Sequence, residues 1–210
     1  MRPLFRIDFE ALSLILGKNH YARNMYGFLA AFVGALTALQ SRLNGQLSKD
    51  IHNGIAAALV SFGTGYIVLI ALTAVSLKDR QGLVALWSAI KHKRLKTWEI
   101  IGGMVGGSFV AVQATTVPII GVAIFSICTI AGQTASSLLI DKWGISPRGK
   151  QMITVPRVFA AVMTLLAVTL AVYPDLGKST FKFAPVFFAL LVGAIVSYQQ
   201  AVNGRVNEHA

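Results

Sequence analysis

Charged residues are scarce in this sequence. The chain has 210 residues, of which 13% are charged and 55% hydrophobic, whereas soluble globular domains carry roughly 25% charged residues. This shortage excludes an ordinary soluble domain. One transmembrane helix needs about 20 mostly apolar residues, so six spans would use about 120 residues, close to the apolar content of the chain. We therefore expect an all-α fold, a polytopic membrane helix bundle with about six transmembrane helices in a lipid bilayer.

The chain has only one cysteine, and it has no carboxylate or histidine in the middle of an apolar run, where a proton pump or a membrane enzyme would need one. Cys128 is the single cysteine, which excludes an intrachain disulfide and a cysteine-based metal cluster. All eight acidic residues and all four histidines lie in loops, at termini or near the ends of apolar runs. No carboxylate can support proton exchange at the membrane centre, and no histidine can activate a membrane serine. We predict no enzyme activity, no metal and no cofactor.

Acidic residues are also outnumbered, by 19 Lys and Arg to 8 Asp and Glu, giving a net charge of +11. In a soluble chain this excess would suggest a nucleic-acid partner. In a membrane protein it fits loops held in the cytoplasm by the positive-inside rule. Most Lys and Arg fall in alternate loops, and the N-terminus shares their side. We expect a cytoplasmic N-terminus and no nucleic-acid partner.

Six apolar runs succeed one another along the chain. Pro118 and Gly121 predict a very tight turn between the third and fourth runs, because proline disfavours helix before it and donates no amide. Residues 1–24 form an N-terminal extension, either an amphipathic surface segment or sequence upstream of a true start at Met25. The six predicted spans are Met25–Leu43, Ile55–Leu77, Ile100–Val117, Ile119–Ile140, Arg157–Tyr173 and Ala184–Val202, with a basic stretch from Lys78 to Glu99 after the second.

A polar motif occurs twice, at the end of the first span and in the sixth. Gln40, Asn44 and Gly45 recur at identical offsets as Gln199, Asn203 and Gly204. An odd number of spans separates the copies, so they cross the membrane in opposite directions, as in the inverted repeats of secondary transporters. The expected organisation is a five-helix unit over 25–173 and the first helix of an inverted repeat over 174–210. The chain is then either a truncated ten-helix protein or one member of a homo- or hetero-oligomer.

Polar residues inside the spans are the candidate substrate-pathway residues. Ser126, Thr129, Gln133 and Ser137 form one stripe on the fourth span. Gln113 shares a face with Gly102 and Gly106 on the third span, and Asp141 ends the fourth. Each of these groups, like the Gln40–Asn44 and Gln199–Asn203 pairs, can either line a pathway or bond a neighbouring helix. For the glycines Gly102, Gly103, Gly106 and Gly107, close helix packing is the expected role.

These features together resemble the YdcZ-type family of inner-membrane exporters within the drug/metabolite transporter (DMT, EamA-like) superfamily. The resemblance covers about Met25 to Val206. It rests on the two Gln, Asn, Gly motifs, the four glycines of the third span, the Pro118–Gly121 turn, Gly132-Gln133 and Asp141-Lys142-Trp143-Gly144. It implies five-helix bundles arranged as inverted halves, a bacterial inner-membrane location and transport of small metabolites. Six helices fit neither the fused ten-helix form nor the shorter associating form.

The sequence therefore predicts a secondary transporter that exports small metabolites by alternating access. Gln40, Asn44, Gln113 and Gln133 would line the pathway, with Ser126, Thr129 and Ser137 as supporting contacts and Asp141 at the cytoplasmic mouth. The uncharged lining favours neutral or zwitterionic cargo. The alternative is a membrane scaffold or assembly subunit without transport activity, in which the polar stripe binds another helix.

Overall fold

The computed structural model describes residues 20–93, 95, 102–176 and 182–209, and this part of the chain is all-α. The expected all-α fold is confirmed. The predicted extension over 1–24 lies mostly outside the described residues. Six helices follow in order: α1 His20–Asp50, α2 Gly54–Val75, α3 Leu77–Lys91, α4 Gly102–Trp143, α5 Val155–Val172 and α6 Phe183–His209, with a 3₁₀ turn at Tyr173–Asp175 after α5.

The chain divides into two compact units, Met1–Gln40 and Ser41–Ala210. In the described part of the first unit, the chain is helical and its large apolar side chains are exposed; Phe28 and Val33 are examples. The second unit contains the end of α1 and all later helices. The helix contacts of the candidate site lie within the second unit.

Helix α4 is a helical hairpin. Gly121, inside it, has φ 78° and ψ 162°, a conformation far from helical, three residues after Pro118. The rings of Phe109 and Phe125 lie with their centroids 5.7 Å apart, whereas in a straight helix their Cα atoms would be about 24 Å apart. The chain therefore reverses at the predicted tight turn. The first limb covers 102–120 and the second limb 122–143.

Helix α6 packs along this hairpin from its tip to its opposite end. Val186 and Ala189, near the start of α6, share an apolar core with Val117 and Phe125, which flank the hairpin tip. The far end of α6 lies against the loop after the second limb, because an ideal Cβ on Gly204 would be 2.8 Å from Cγ of Pro147. Helix α6 therefore runs from the tip toward the opposite end of the bundle.

Among the described residues, four helical segments are long and apolar enough to cross a membrane: Gly54–Val75, Val105–Trp143, Val155–Asp175 and Phe183–Asn207. They cover most of each of five predicted spans, since the hairpin holds the third and fourth. The predicted first span, Met25–Leu43, lies in α1, which is not among the four. Its end is interrupted by Gln40, Ser41 and Arg42, and these polar residues lower the hydropathy of the segment. The inverted repeat stays a prediction.

Candidate functional site

The most buried polar cluster of the second unit joins α1 to the first limb of α4. Gln113 is 0% exposed, and its Oε1 accepts a hydrogen bond from Nδ2 of Asn44 at 2.7 Å. Its Nε2 donates to Oγ of Ser41, also at 2.7 Å. Asn44 and Ser41 are buried as well. The cluster bridges two helices through a single carboxamide that both donates and accepts, so two of the predicted pathway residues contact each other.

Small residues next to this cluster allow the close approach that it needs. An ideal Cβ on Gly45 would lie 2.6 Å from Cγ1 of Val117, and one on Gly54 would lie 3.2 Å from Oγ of Ser48. A larger side chain at Gly45 would require the Val117 side chain or α1 itself to shift. The glycine of the first sequence motif therefore has a packing role, and the preceding Asn44 is positioned toward Gln113 by the same contact.

Ser41 was not among the residues expected at the site. It lies three residues before Asn44, so both share one face of α1. That spacing was a usable signal, but a serine in an apolar helix more often bonds its own backbone. Only the hydrogen bond from Gln113 on the first limb shows that Ser41 bonds another helix.

The predicted polar stripe on the second limb divides into two groups. Thr129 is buried, and its hydroxyl donates to the backbone oxygens of Phe125 and Ser126 at 3.0 and 2.9 Å. The hydroxyl of Ser137 likewise donates to the backbone oxygen of Thr134. Ser126 and Gln133 are half-buried, and among the described residues neither side chain has a hydrogen-bond partner. These two polar groups are available to a ligand.

A glycine contact that the sequence reasoning missed fixes the second limb against α6. An ideal Cβ on Gly132 would overlap the carbonyl oxygen of Leu190, and one on Gly193 would overlap the carbonyl oxygen of Thr129. Ser136 adds a hydrogen bond of 3.3 Å to the backbone oxygen of Ala194. The two backbones thus cross at van der Waals distance, which places Thr129 in the crossing.

The glycines that were expected to pack helices have different surroundings. An ideal Cβ on Gly106 would lie 3.4 Å from Nε2 of Gln199 and 3.5 Å from Cε2 of Phe62. The corresponding position on Gly107 has no neighbour within 4 Å among the described residues. Gly102 and Gly103 open α4, and their packing lies outside the described contacts.

The second motif is more accessible than the first. Gln199 is half-buried beside Gly106 on the first limb, and its carboxamide makes no hydrogen bond with any described residue. Asn203 is exposed on α6, and Gln40 is exposed at the end of the first unit. Asn44 and its counterpart Asn203 therefore differ, since the former is buried against a glutamine and the latter is not.

Asp141 lies in the last turn of the second limb and forms an ion pair with Arg157 at the start of α5. The backbone between them is a capped turn: Gly144 has φ 71°, Ile145 N–H donates to Ile140 O at 3.1 Å, and Gly144 N–H donates to Asp141 O at 3.2 Å. This pattern is a Schellman motif. The ion pair closes the loop from one helix to the next. The sequence placed Arg157 at the start of the fifth span and did not predict this pairing.

No group of three or more His, Cys, Asp and Glu residues that could hold a metal ion occurs in the described part of the chain. The polar groups described at the site are uncharged amides and hydroxyls, with one ion pair at its edge. Such groups can bind and release a polar solute through hydrogen bonds.

Comparison with known proteins agrees with this architecture. Residues 25–170, more than half of the chain, match the family described as "Putative inner membrane exporter, YdcZ". No curated protein matches the chain. No solved structure matches it. The family match covers α1 through most of α5, including the hairpin, the Asn44–Gln113 cluster and the Asp141–Arg157 pair, and the chain therefore belongs to the YdcZ family within the drug/metabolite transporters.

Proposed function

We propose that this protein is a multi-pass membrane transporter that exports small polar metabolites by alternating access. The family match over residues 25–170 is the observation that carries the proposal. The helices support it, since four described segments are long and apolar enough to span a bilayer. Family membership also makes a transporter a better account than an enzyme.

In this proposal the substrate contacts three side chains that are partly exposed and have no hydrogen-bond partner among the described residues: Ser126, Gln133 and Gln199. Carboxamides both donate and accept, so these side chains suit a neutral or zwitterionic solute. Exposed Asn203 would contact the solute nearer one end of the pathway, and Gln40, in the first unit, stays a pathway candidate on its sequence motif alone. Ser137 is half-buried one helical turn before Asp141, and in this proposal it contacts the solute near the mouth of the pathway.

Asn44, Gln113 and Thr129 have a different role in this mechanism. Their polar groups already bond protein partners in the described conformation. Alternating access requires two packings of the same helices. The Asn44–Gln113 bond between α1 and the first limb stabilises one of them, and its exchange for a bond to solute would couple binding to the rearrangement.

The repeated motifs support an inverted arrangement. Gly45 lies against Val117 and Pro118 at the hairpin tip, and Gly204 lies against Pro147 at the opposite end of the bundle. Each glycine thus packs beside a proline-containing turn, at opposite ends. A second half, supplied by further helices of the same protein or by a homo- or hetero-oligomer, would complete the pathway.

The distribution of basic residues supports a cytoplasmic N-terminus. In the second unit, Arg42, Lys49 and Lys182 lie toward the hairpin tip. The other described Lys and Arg lie toward the opposite end: Arg80, Lys91, Lys93, Lys142, Arg148, Lys150, Arg157 and Arg205. Basic residues are retained on the cytoplasmic side. We place the end opposite the tip in the cytoplasm of a bacterial inner membrane.

A metabolite-release experiment tests the proposal. Cells that lack the gene and cells that express it are compared by mass spectrometry of the medium and the cell extract. Expression should raise the ratio of external to internal concentration for at least one polar metabolite, and Gln133→Leu should reduce that effect. Gln81→Leu, on exposed α3, serves as the matched control. Unchanged ratios with correctly inserted protein would contradict transport.

A scaffold without transport activity is the second candidate. The observation that favours it is the complete bonding of the Asn44–Gln113–Ser41 cluster, which needs no ligand. In that case Ser126 and Gln133 contact another helix. The scaffold predicts that both positions are inaccessible to water in the membrane.

A further inference from the structure

Helix α3 occupies most of the stretch that the sequence predicted only as a basic connection. It begins one residue after α2, because Ser76 has extended φ and ψ of −87° and 111°. The Ser76 hydroxyl accepts from Asp79 N–H at 3.2 Å and caps the new helix. The guanidinium of Arg80 donates to the backbone oxygen of Ala74, across the junction. The direction of α3 is thus tied to the end of α2.

The position of α3 relative to the membrane follows from the length of α2. Helix α2 has 22 residues, about 33 Å at 1.5 Å per residue. A bilayer hydrocarbon core is about 30 Å thick. A single crossing of the bilayer therefore takes the whole length of α2, and α3 starts at the membrane surface. It also contacts α6, the helix whose end reaches the same side of the bundle.

One face of α3 packs against protein, and another does not. Ala89 is 0% exposed, and Leu86 and Ile90 beside it are half-buried. On the other face, Val84 and Trp87 are each 70% exposed and Leu83 is 55% exposed. Exposed apolar side chains of this size are unfavourable in water, at about 25 cal/mol for each Å².

Basic residues lie at both ends of this exposed face. Arg80, Leu83, Val84, Trp87 and Lys91 are spaced i, i+3, i+4, i+7 and i+11, which places them on a single side of a helix. We call this set the Trp87 face. Both its cations are exposed. An apolar centre with an aromatic ring and flanking cations is the composition of helices that lie in the bilayer interface.

We propose that the Trp87 face binds the surface of the bilayer and selects anionic phospholipid headgroups. Leu83, Val84 and Trp87 insert into the boundary between headgroups and acyl chains, while Arg80 and Lys91 contact phosphate groups. A second copy of the chain is a poorer occupant, because the charged residues at this end of the bundle are mostly basic (exposed Lys142 and Lys150 among them) and two such surfaces repel. The charge of the face is complementary to an anionic lipid surface.

The test uses the intact protein with Trp87 as its single tryptophan, made by Trp98→Phe and Trp143→Phe. The protein is reconstituted in phosphatidylcholine vesicles with increasing fractions of phosphatidylglycerol. Quenching of Trp87 fluorescence by brominated phosphatidylglycerol is compared with quenching by brominated phosphatidylcholine, which gives the relative affinity of the two lipids at this position. Both brominated lipids should quench, and the anionic lipid should bind more tightly.

Charge variants separate headgroup recognition from simple proximity. Each basic residue at an anionic surface contributes a factor of about five in affinity, so Lys91→Gln should reduce the lipid preference about five-fold, and Arg80→Gln with Lys91→Gln roughly 30-fold. Lys91→Gln alone suffices if loss of the Arg80 bond to Ala74 disturbs the helix. Lys49→Gln, at the other end of the bundle, is the matched control and should leave the preference unchanged.

Three results would overturn the inference. Quenching by aqueous acrylamide without quenching by either brominated lipid would place Trp87 in water. Protection from all quenchers would show that protein covers the face, as in a second copy. Equal affinity for the two lipids would exclude headgroup selection.

Discussion

Asn44 donates from Nδ2 to Oε1 of Gln113 at 2.7 Å, and this bond joins residues 69 positions apart in the sequence. The same carboxamide of Gln113 donates to Ser41. Between helices in a bilayer, such bonds contribute on average about 0.6 kcal/mol and at most about 1.7 kcal/mol. The Asn44–Gln113–Ser41 cluster thus stabilises one helix packing without making it irreversible, which is compatible with the proposed alternating access.

Replacement of Gln113 by leucine should destabilise the fold. The change leaves the buried polar groups of Asn44 and Ser41 without their partner, at a cost of about 1–3 kcal/mol in the free energy of unfolding. Asn44→Leu should cost a similar amount, and the double variant should cost less than the sum. Unfolding of the reconstituted protein by a graded denaturing detergent measures each value.

The control for this cycle is Gln46→Leu. Gln46 is exposed and its Nε2 donates to Asp50 at 2.8 Å, so its loss should change the free energy of unfolding by no more than about 0.5 kcal/mol. Strict additivity of the Asn44 and Gln113 changes would show that their hydrogen bond has no energetic coupling.

The crossing of the second limb and α6 should not tolerate a methyl group. Gly132→Ala or Gly193→Ala would force the new Cβ onto a backbone carbonyl, and overpacking of this kind costs about 1–3 kcal/mol or more. Gly107→Ala is the matched control, since the space around Gly107 is open. Measured unfolding free energies should fall for the first two variants and stay constant or rise for Gly107→Ala. Equal effects at Gly132 and Gly107 would contradict the close crossing.

The hairpin tip requires glycine at position 121 because of its backbone conformation, and not because neighbouring atoms leave no room for a side chain. Its φ of 78° and ψ of 162° lie in a region that is essentially restricted to glycine, where another residue costs about 1–3 kcal/mol. Gly121→Ala should lower stability by this amount, although no described atom lies within 4 Å of the new Cβ. Gly63→Ala, in helix α2 with equally open surroundings, should not. An undiminished stability of Gly121→Ala would mean that the tip does not require this conformation.

The Asp141–Arg157 pair should respond to charge reversal. Asp141→Arg alone places two cations together at the loop between the second limb and α5 and should lower stability, and Arg157→Asp alone should do so through repulsion between two carboxylates. Asp141→Arg combined with Arg157→Asp restores attraction and should recover part of the loss. Thermal unfolding of the three variants measures the recovery. If the double variant is no more stable than the worse single one, the ion pair has no structural role.

The sequence predicted the helical class and most spans because apolar length is a local property. The Pro118–Gly121 turn was also predictable, since proline and glycine restrict or permit backbone conformations by themselves. Helix α3 was missed because its uncharged run, residues 81–90, is too short to cross a membrane and is flanked by charged residues on both sides, so the stretch reads as a basic connection. Whether Gln113 faces Asn44 or open space depends on which helices pack together, and the sequence left both roles open.

Close contacts were harder to assign than polar groups. The four-glycine pattern of the first limb suggested the packing surface, yet the closest glycine contacts in the described part of the chain involve Gly132 and Gly193, single glycines in two distant segments. A lone glycine gives no local periodicity, and its partner is set by the fold. Likewise, the burial of Thr129 follows from its contact with Gly193 of α6, whereas Gln133 on the same limb stays half-buried. The sequence does not show which of the two α6 covers.

The most direct test of the proposed transport function is water access along the second limb. Single cysteines Ser126→Cys, Thr129→Cys, Gln133→Cys and Ser137→Cys are introduced in a Cys128→Ala background, with Leu166→Cys on apolar, exposed α5 as the lipid-facing control. A membrane-impermeant thiol reagent should label positions 126, 133 and 137 several-fold faster than position 129, which is packed at the crossing, and position 166. Protection of 126, 133 and 137 to the level of 129 would contradict a solute pathway and favour the scaffold.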